Sequence, residues 1–152
     1  QSKANIRWDS SSSMASALIL GYRDCKPIIA CLTRIDGKQN IGVVDRGQCN
    51  LVVNNAIYKT TEYQILTASK KFVKWGLLSQ VYQYQLIDVA MHKASNICRF
   101  IFDNKIYVGT VSYSIPWDSV SLLCKIKVNN TVQQSDNYQV LSFNVNMNKE
   151  DS

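Results

Sequence analysis

The chain repeats itself, and this constrains its fold more than any other feature. Trp8 and Trp75 stand 67 residues apart, as do Ser12 and Ser79, Lys26 and Lys93, Cys31 and Cys98, Asp36 and Asp103, Lys38 and Lys105, Gly42 and Gly109, and Val44 and Val111. These are eight identities in 37 aligned positions, where chance matching at roughly 6% per position gives about two. From Cys49 the spacing becomes 75, and Cys49–Leu66 matches Cys124–Leu141 at seven of 18 positions. The change of spacing marks an eight-residue insertion in the second copy, around Ser112–Ser119. The copies run from about residue 6 to 66 and from 73 to 141, leaving 142–152 as a strand end and polar tail. Two copies are too few for a solenoid, which needs about three. The expectation is one domain over residues 1–152, two tandem short-strand repeats intertwined with pseudo-twofold symmetry.

Each copy reads as short strands. Tyr outnumbers Phe eight to four, and Val, Ile and Thr recur throughout, a bias toward strands. "PIIACLTR" is an apolar strand, Asp36-Gly37 a hairpin turn that needs positive φ, and "NIGVV" the return strand. The second copy offers "NICRFIF", a turn at "DNK", and "IYVGTV". Asn54-Asn55 and Asn129-Asn130 suit two-residue turns, because Asn tolerates the left-handed region. "EYQILT" and "NYQVLSFNV" close the copies, and "VYQYQLID" alternates as a half-exposed strand. No amphipathic helix longer than two turns is visible. The fold class is all-β.

Net charge is +6 with a pI near 9.1. Lys and Arg are scattered, so this reads as an ordinary basic surface, and nucleic acid is not an expected partner. The densest basic stretch, Lys70, Lys71 and Lys74, flanks apolar Phe72 and Val73 and reads as an edge or linker. No apolar run approaches the ~20 residues of a membrane-spanning helix. Gln1 suits a processed, secreted protein, with a cytoplasmic one as the alternative. Asn129-Asn130-Thr131 is a glycosylation sequon, used only in a secreted chain. Of five cysteines, Cys31/Cys98 and Cys49/Cys124 recur at matched positions. They read as small buried core residues, or as one or two disulfides with Cys25 the odd thiol. Without a CxxC no zinc site is expected, nor any cofactor.

The catalytic inventory is poor. His92 is the only histidine and lacks a triad-like context, and no phosphate-cradling glycine motif occurs, so the chain is expected not to be an enzyme. Loop polar groups are the better binding candidates: Asp24, Asp36 and Lys38 with Arg34 and Arg46 near by in the first copy, and Arg99, Asp103 and Lys105 in the second. Carboxylate plus Lys or Arg both accepts from and donates to sugar hydroxyls. Trp8 and Trp75 read as core anchors. Trp117, in the insertion beside Pro116, is a candidate stacking residue.

The order of these features resembles the DM-nine repeat, a family found mostly in invertebrate proteins. Its pattern matches Gly21, Asp24, Cys31, Gly37, Gly42-Val43-Val44, Cys49 and Tyr63–Leu66, and then Cys98-Arg99, Gly109-Thr110-Val111, Cys124 and Tyr138–Leu141. The resemblance covers nearly the whole chain. It implies a single β domain with exchanged hairpins and a mannose-recognising lectin, often dimeric, acting in innate recognition or secreted fluids. The family lysine after the turn glycine is here Val43 and Thr110, the acidic residue survives as Asp24 but not at Met91, and the arginine beside the strand cysteine is Leu32 in one copy and Arg99 in the other. Either sugar contacts are rebuilt from neighbours such as Arg34, Lys38, Lys105 or Trp117, or the scaffold has turned to a protein or an anionic polymer.

Overall fold

The computed structural model describes residues 6–80, 95–112 and 122–144. Paired residues with positive φ set its topology. Asp36 (φ 51°) and Gly37 (φ 80°) join β4 (Ala30–Ile35) to β5 (Lys38–Asp45), and Asp103 (φ 52°) with Asn104 (φ 63°) joins β10 (Ser95–Phe102) to β11 (Lys105–Ser112). Asn54 (φ 52°) and Asn55 (φ 64°) join β6 (Gln48–Val53) to β7 (Ala56–Thr60), and Asn129 (φ 54°) opens the turn from β12 (Cys124–Val128) to β13 (Thr131–Ser135). Two left-handed residues in a row match the twist of a two-residue hairpin. Two further turns carried weaker sequence signals: Arg46-Gly47 between β5 and β6, and Asp24-Cys25 between β2 (Gly21–Arg23) and β3 (Lys26–Ile28).

The all-β expectation holds. The helical segments among the described residues are 3-10 turns, at Ser11–Ser16, Lys70–Phe72 and Leu78–Gln80. With β1 (Arg7–Ser10), β8 (Gln64–Thr67), β9 (Val73–Gly76) and β14 (Gln139–Phe143), the strands build two six-stranded antiparallel sheets, ordered β1-β8-β4-β5-β6-β7 and β9-β14-β10-β11-β12-β13. Matched by sequence, the two orders are the same, and so is the register. Trp8 faces Leu66 as Trp75 faces Leu141, Cys31 faces Ile65 as Cys98 faces Val140, and Val44 faces Cys49 as Val111 faces Cys124. The basic stretch at 70–74 lies on the turn into β9, an edge strand. The strand expected at "VYQYQLID" falls outside the described residues.

The recurrent glycine and cysteines share one explanation. β5 pairs with β4 from Lys38 to Val43, then with β6 from Val43 to Asp45. At Gly42 the next strand crosses close over β5, bringing β6 near β4 although β5 separates them in the sheet order. In the second half β11 pairs with β10 throughout Lys105–Ser112 and with β12 at Thr110 and Val111, and the same close crossing occurs at Gly109. A Cβ on Gly42 would overlap the Asn50 carbonyl, and one on Gly109 the Lys125 carbonyl, so only glycine fits. The crossing brings Cys31 and Cys49 to 5.8 Å between Cα atoms, and Cys98 and Cys124 to 6.0 Å, and both pairs are disulfides. The disulfide alternative for these cysteines is therefore the correct one, and Cys25 is the free, exposed thiol.

The halves share a core. Leu18, Leu20, Ile28, Leu32, Ile41 and Leu66 of the first half bury against Ile97, Val108 and Leu141 of the second, with Trp8 and Trp75 packed on the margin. Each such side chain contributes about 1.5–3 kcal/mol. Smaller clusters surround each disulfide. The β2–β3 hairpin of the first half reaches across to β11: Ile106 lies beside Gly21, and Arg23 donates to the Ile106 carbonyl at 3.2 Å. Its counterpart in the second half, near residues 88–95, lies largely outside the described residues. Gly42 and Gly109, Val43 and Thr110, and Val52 and Lys127 line one small cavity, so matched positions of the two halves face each other across it.

Candidate functional site

The β10–β11 hairpin gathers most of the polar chemistry. At its tip Lys105 Nζ lies 3.0 Å from Asp24 Oδ1 and 3.3 Å from Oδ2, although the two residues are 81 apart in the chain. Both groups are well exposed. The hydrogen bond and charge of Asp24 hold the Lys105 ammonium above its ordinary pKa. Next to Asp24, the Arg23 guanidinium stacks 4.3 Å over the Tyr107 ring, a cation–π contact that fixes the first-half hairpin on the second-half sheet. Sequence reading grouped Asp24 with Asp36 and Lys38; its ion-pair partner is Lys105 of the other copy instead.

Arg99 stands farther along the same hairpin. Its guanidinium stacks 4.3 Å over Trp75 and donates from Nε to Gln139 Oε1 at 2.8 Å. The stacking occupies that indole face, and the partial burial lowers the Arg99 pKa while leaving it a cation at neutral pH. Arg99 and Gln139 line a cleft of about 500 Å³ together with polar Asn137 and Ser135 and apolar Leu77, Ile101 and Ile106. That size lies within the range of small-ligand sites, roughly 300–1,000 Å³. Ile101 is 70% exposed, so an apolar side chain stands open to solvent at the cleft wall. Gln139 carried a signal in the sequence, as half of the repeated Tyr-Gln pair.

The other nominated residues are more isolated. Asp36 and Lys38 sit exposed at the β4–β5 turn, and Arg34 on β4 donates to the Gly37 carbonyl at 3.5 Å. Among the described residues none of these three is in an ion pair. Asp103 occupies the β10–β11 turn near Lys105, and Arg46 the β5–β6 turn. Trp117 and His92 lie outside the described residues. Leu32, matching Arg99, is buried in the shared core, so the first half has no equivalent cleft chemistry at that position. Among the described residues no group of three His, Cys, Asp or Glu side chains could hold a metal, and no helix is long and apolar enough to cross a membrane.

The chain matches no protein-family model and no curated protein. The likeness to the DM-nine repeat therefore stands on the residues alone.

Proposed function

We propose that this is a non-enzymatic carbohydrate-binding protein of lectin type, secreted, and taking mannose-type glycans in the Arg99 cleft. One observation carries the reading: a guanidinium and a carboxamide, joined at 2.8 Å, line a ligand-sized cleft together with the aliphatic side chains of Leu77, Ile101 and Ile106. Planar fixed donors and acceptors suit vicinal hydroxyls, and aliphatic side chains suit the C–H face of a sugar ring. The two disulfides fit an oxidising compartment, which supports secretion. Innate recognition and dimer formation rest on the resemblance only.

The test is a calorimetric titration of the full chain with mannose and a small panel of neutral oligosaccharides. Saturable binding that D24A leaves intact and R99A removes supports the Arg99 cleft. If D24A removes it and R99A does not, the site moves to the hairpin tip. No heat with any sugar overturns the reading. A second reading, a scaffold that has exchanged sugar for a protein or anionic polymer, is favoured by two features of the sequence: Val43 and Thr110 stand in place of the family lysines, and the net charge is +6.

A further inference from the structure

The cavity at the crossing of the two halves has two unlike walls. It holds about 40 Å³, room for roughly three waters. At matched positions the first half supplies Asn50 and Val52, where the second supplies Lys125 and Lys127. Arg23 closes it from the β2–β3 hairpin, and Asp45 is the one carboxylate on its lining. Lys127 lies within charge range of Arg23 and Asp45 there, while the Lys125 ammonium reaches Asn55 and the Arg23 guanidinium also stacks on Tyr107, both outside the lining. Among the described residues none of the three cations is in an ion pair. Lys125 spends a proton on Asn55 Oδ1 at 2.8 Å, and Arg23 one on the Ile106 carbonyl at 3.2 Å, so each keeps further donors. Burial lowers the Lys127 pKa, and the neighbouring cations Lys59, Arg23 and Arg46 lower it further against the pull of Asp45. Like charges crowded beside a small cavity repel, and an anion placed among them relieves that repulsion.

We propose that this cavity takes one anionic group, a sulfate or a carboxylate, of an acidic polysaccharide. The inference rests on the carbohydrate reading and adds the ligand class and a second contact point to it. Lys127 and Arg23 hold the charge, Val43 and Val52 face the ring, and Asp45 accepts from a hydroxyl.

The full chain and its K127Q and R23Q variants, each first checked by thermal melting, would be titrated with four probes. These are a heparin-type sulfated octasaccharide, an oligogalacturonate of equal length, a neutral mannose oligosaccharide and a poly-glutamate of matched charge. One site per chain is expected for an acidic oligosaccharide, weakened about tenfold by K127Q and falling as salt rises. A preference between sulfate and uronate tells which group is bound. Should K127Q fail to fold, K125Q takes its place. Equal affinity of wild type and both variants overturns the proposal, as does equal binding of poly-glutamate. Binding of the mannose oligosaccharide without either acidic one also overturns it but leaves the carbohydrate reading standing. Absence of binding by every sugar removes both.

Discussion

The two halves agree where the backbone is concerned and disagree in side-chain chemistry at matched positions. Strand order, the crossing glycine, the disulfide and the register all recur. Yet buried Leu32 stands where the second half has Arg99, and Val52 where it has Lys127. Asp24, which has no acidic counterpart at Met91, ties the first-half hairpin to Lys105 of the second. The duplicated part is the scaffold, which packing constraints hold in common. The polar side chains brought together at the Arg99 cleft and the Lys105 tip come mostly from the second half, with the first half lending one hairpin.

The largest effects should come where the halves agree. G42A and G109A each force a methyl into a neighbouring carbonyl, and each should cost about 3 kcal/mol or more in denaturant unfolding. A variant of either that unfolds like wild type would break the close-crossing account. Removing one disulfide as a paired Ala variant should cost about 3 kcal/mol, marginally more for the 26-residue separation than for the 18-residue one. Reducing the wild type before melting removes both disulfides and should destabilise more than either paired variant.

Sharper tests lie where the halves differ. R99L converts the second half to the first-half residue. It should lower mannose affinity at least tenfold, about 1.4 kcal/mol. Stability should hold or rise, because a partly desolvated cation is removed. The smallest effect is expected for K105M, since the ion pair it breaks is exposed. Its sign is nevertheless defined. Asp24 raises the Lys105 pKa, so the contribution is fully present below the ordinary value of 10.5 and is lost as pH rises through the raised one. Melts of wild type and K105M should differ by a small constant amount from neutral pH up to about the ordinary lysine value of 10.5 and converge as pH rises through the raised one.

Much of the scaffold was legible because its turns announce themselves. Asp36-Gly37 and the two Asn-Asn pairs are residues that tolerate positive φ, and the strands between them are apolar or alternate. The Asp24-Cys25 turn escaped notice because it places a cysteine at φ 64° between strands of three residues each, too short for a period to show. The same cause hid the meeting of Asp24 with Lys105, a contact across 81 residues that no local pattern encodes. The disulfides were undecidable between two readings, because β4 and β6 touch only through the crossing at Gly42. Lys125 and Lys127 did carry a signal. In "KIKV" they alternate with buried Ile126, so both lie on the face of β12 opposite it.

One scaffold, built twice, is proposed to bind sugar in its second half. Backbone amide chemical shifts followed during a mannose titration test this most directly. Perturbations confined to residues 99–106 and 135–139, with weaker ones at 21–26, are the predicted result. Perturbations centred on residues 32–39 of the first half, or equal in both halves, would contradict it.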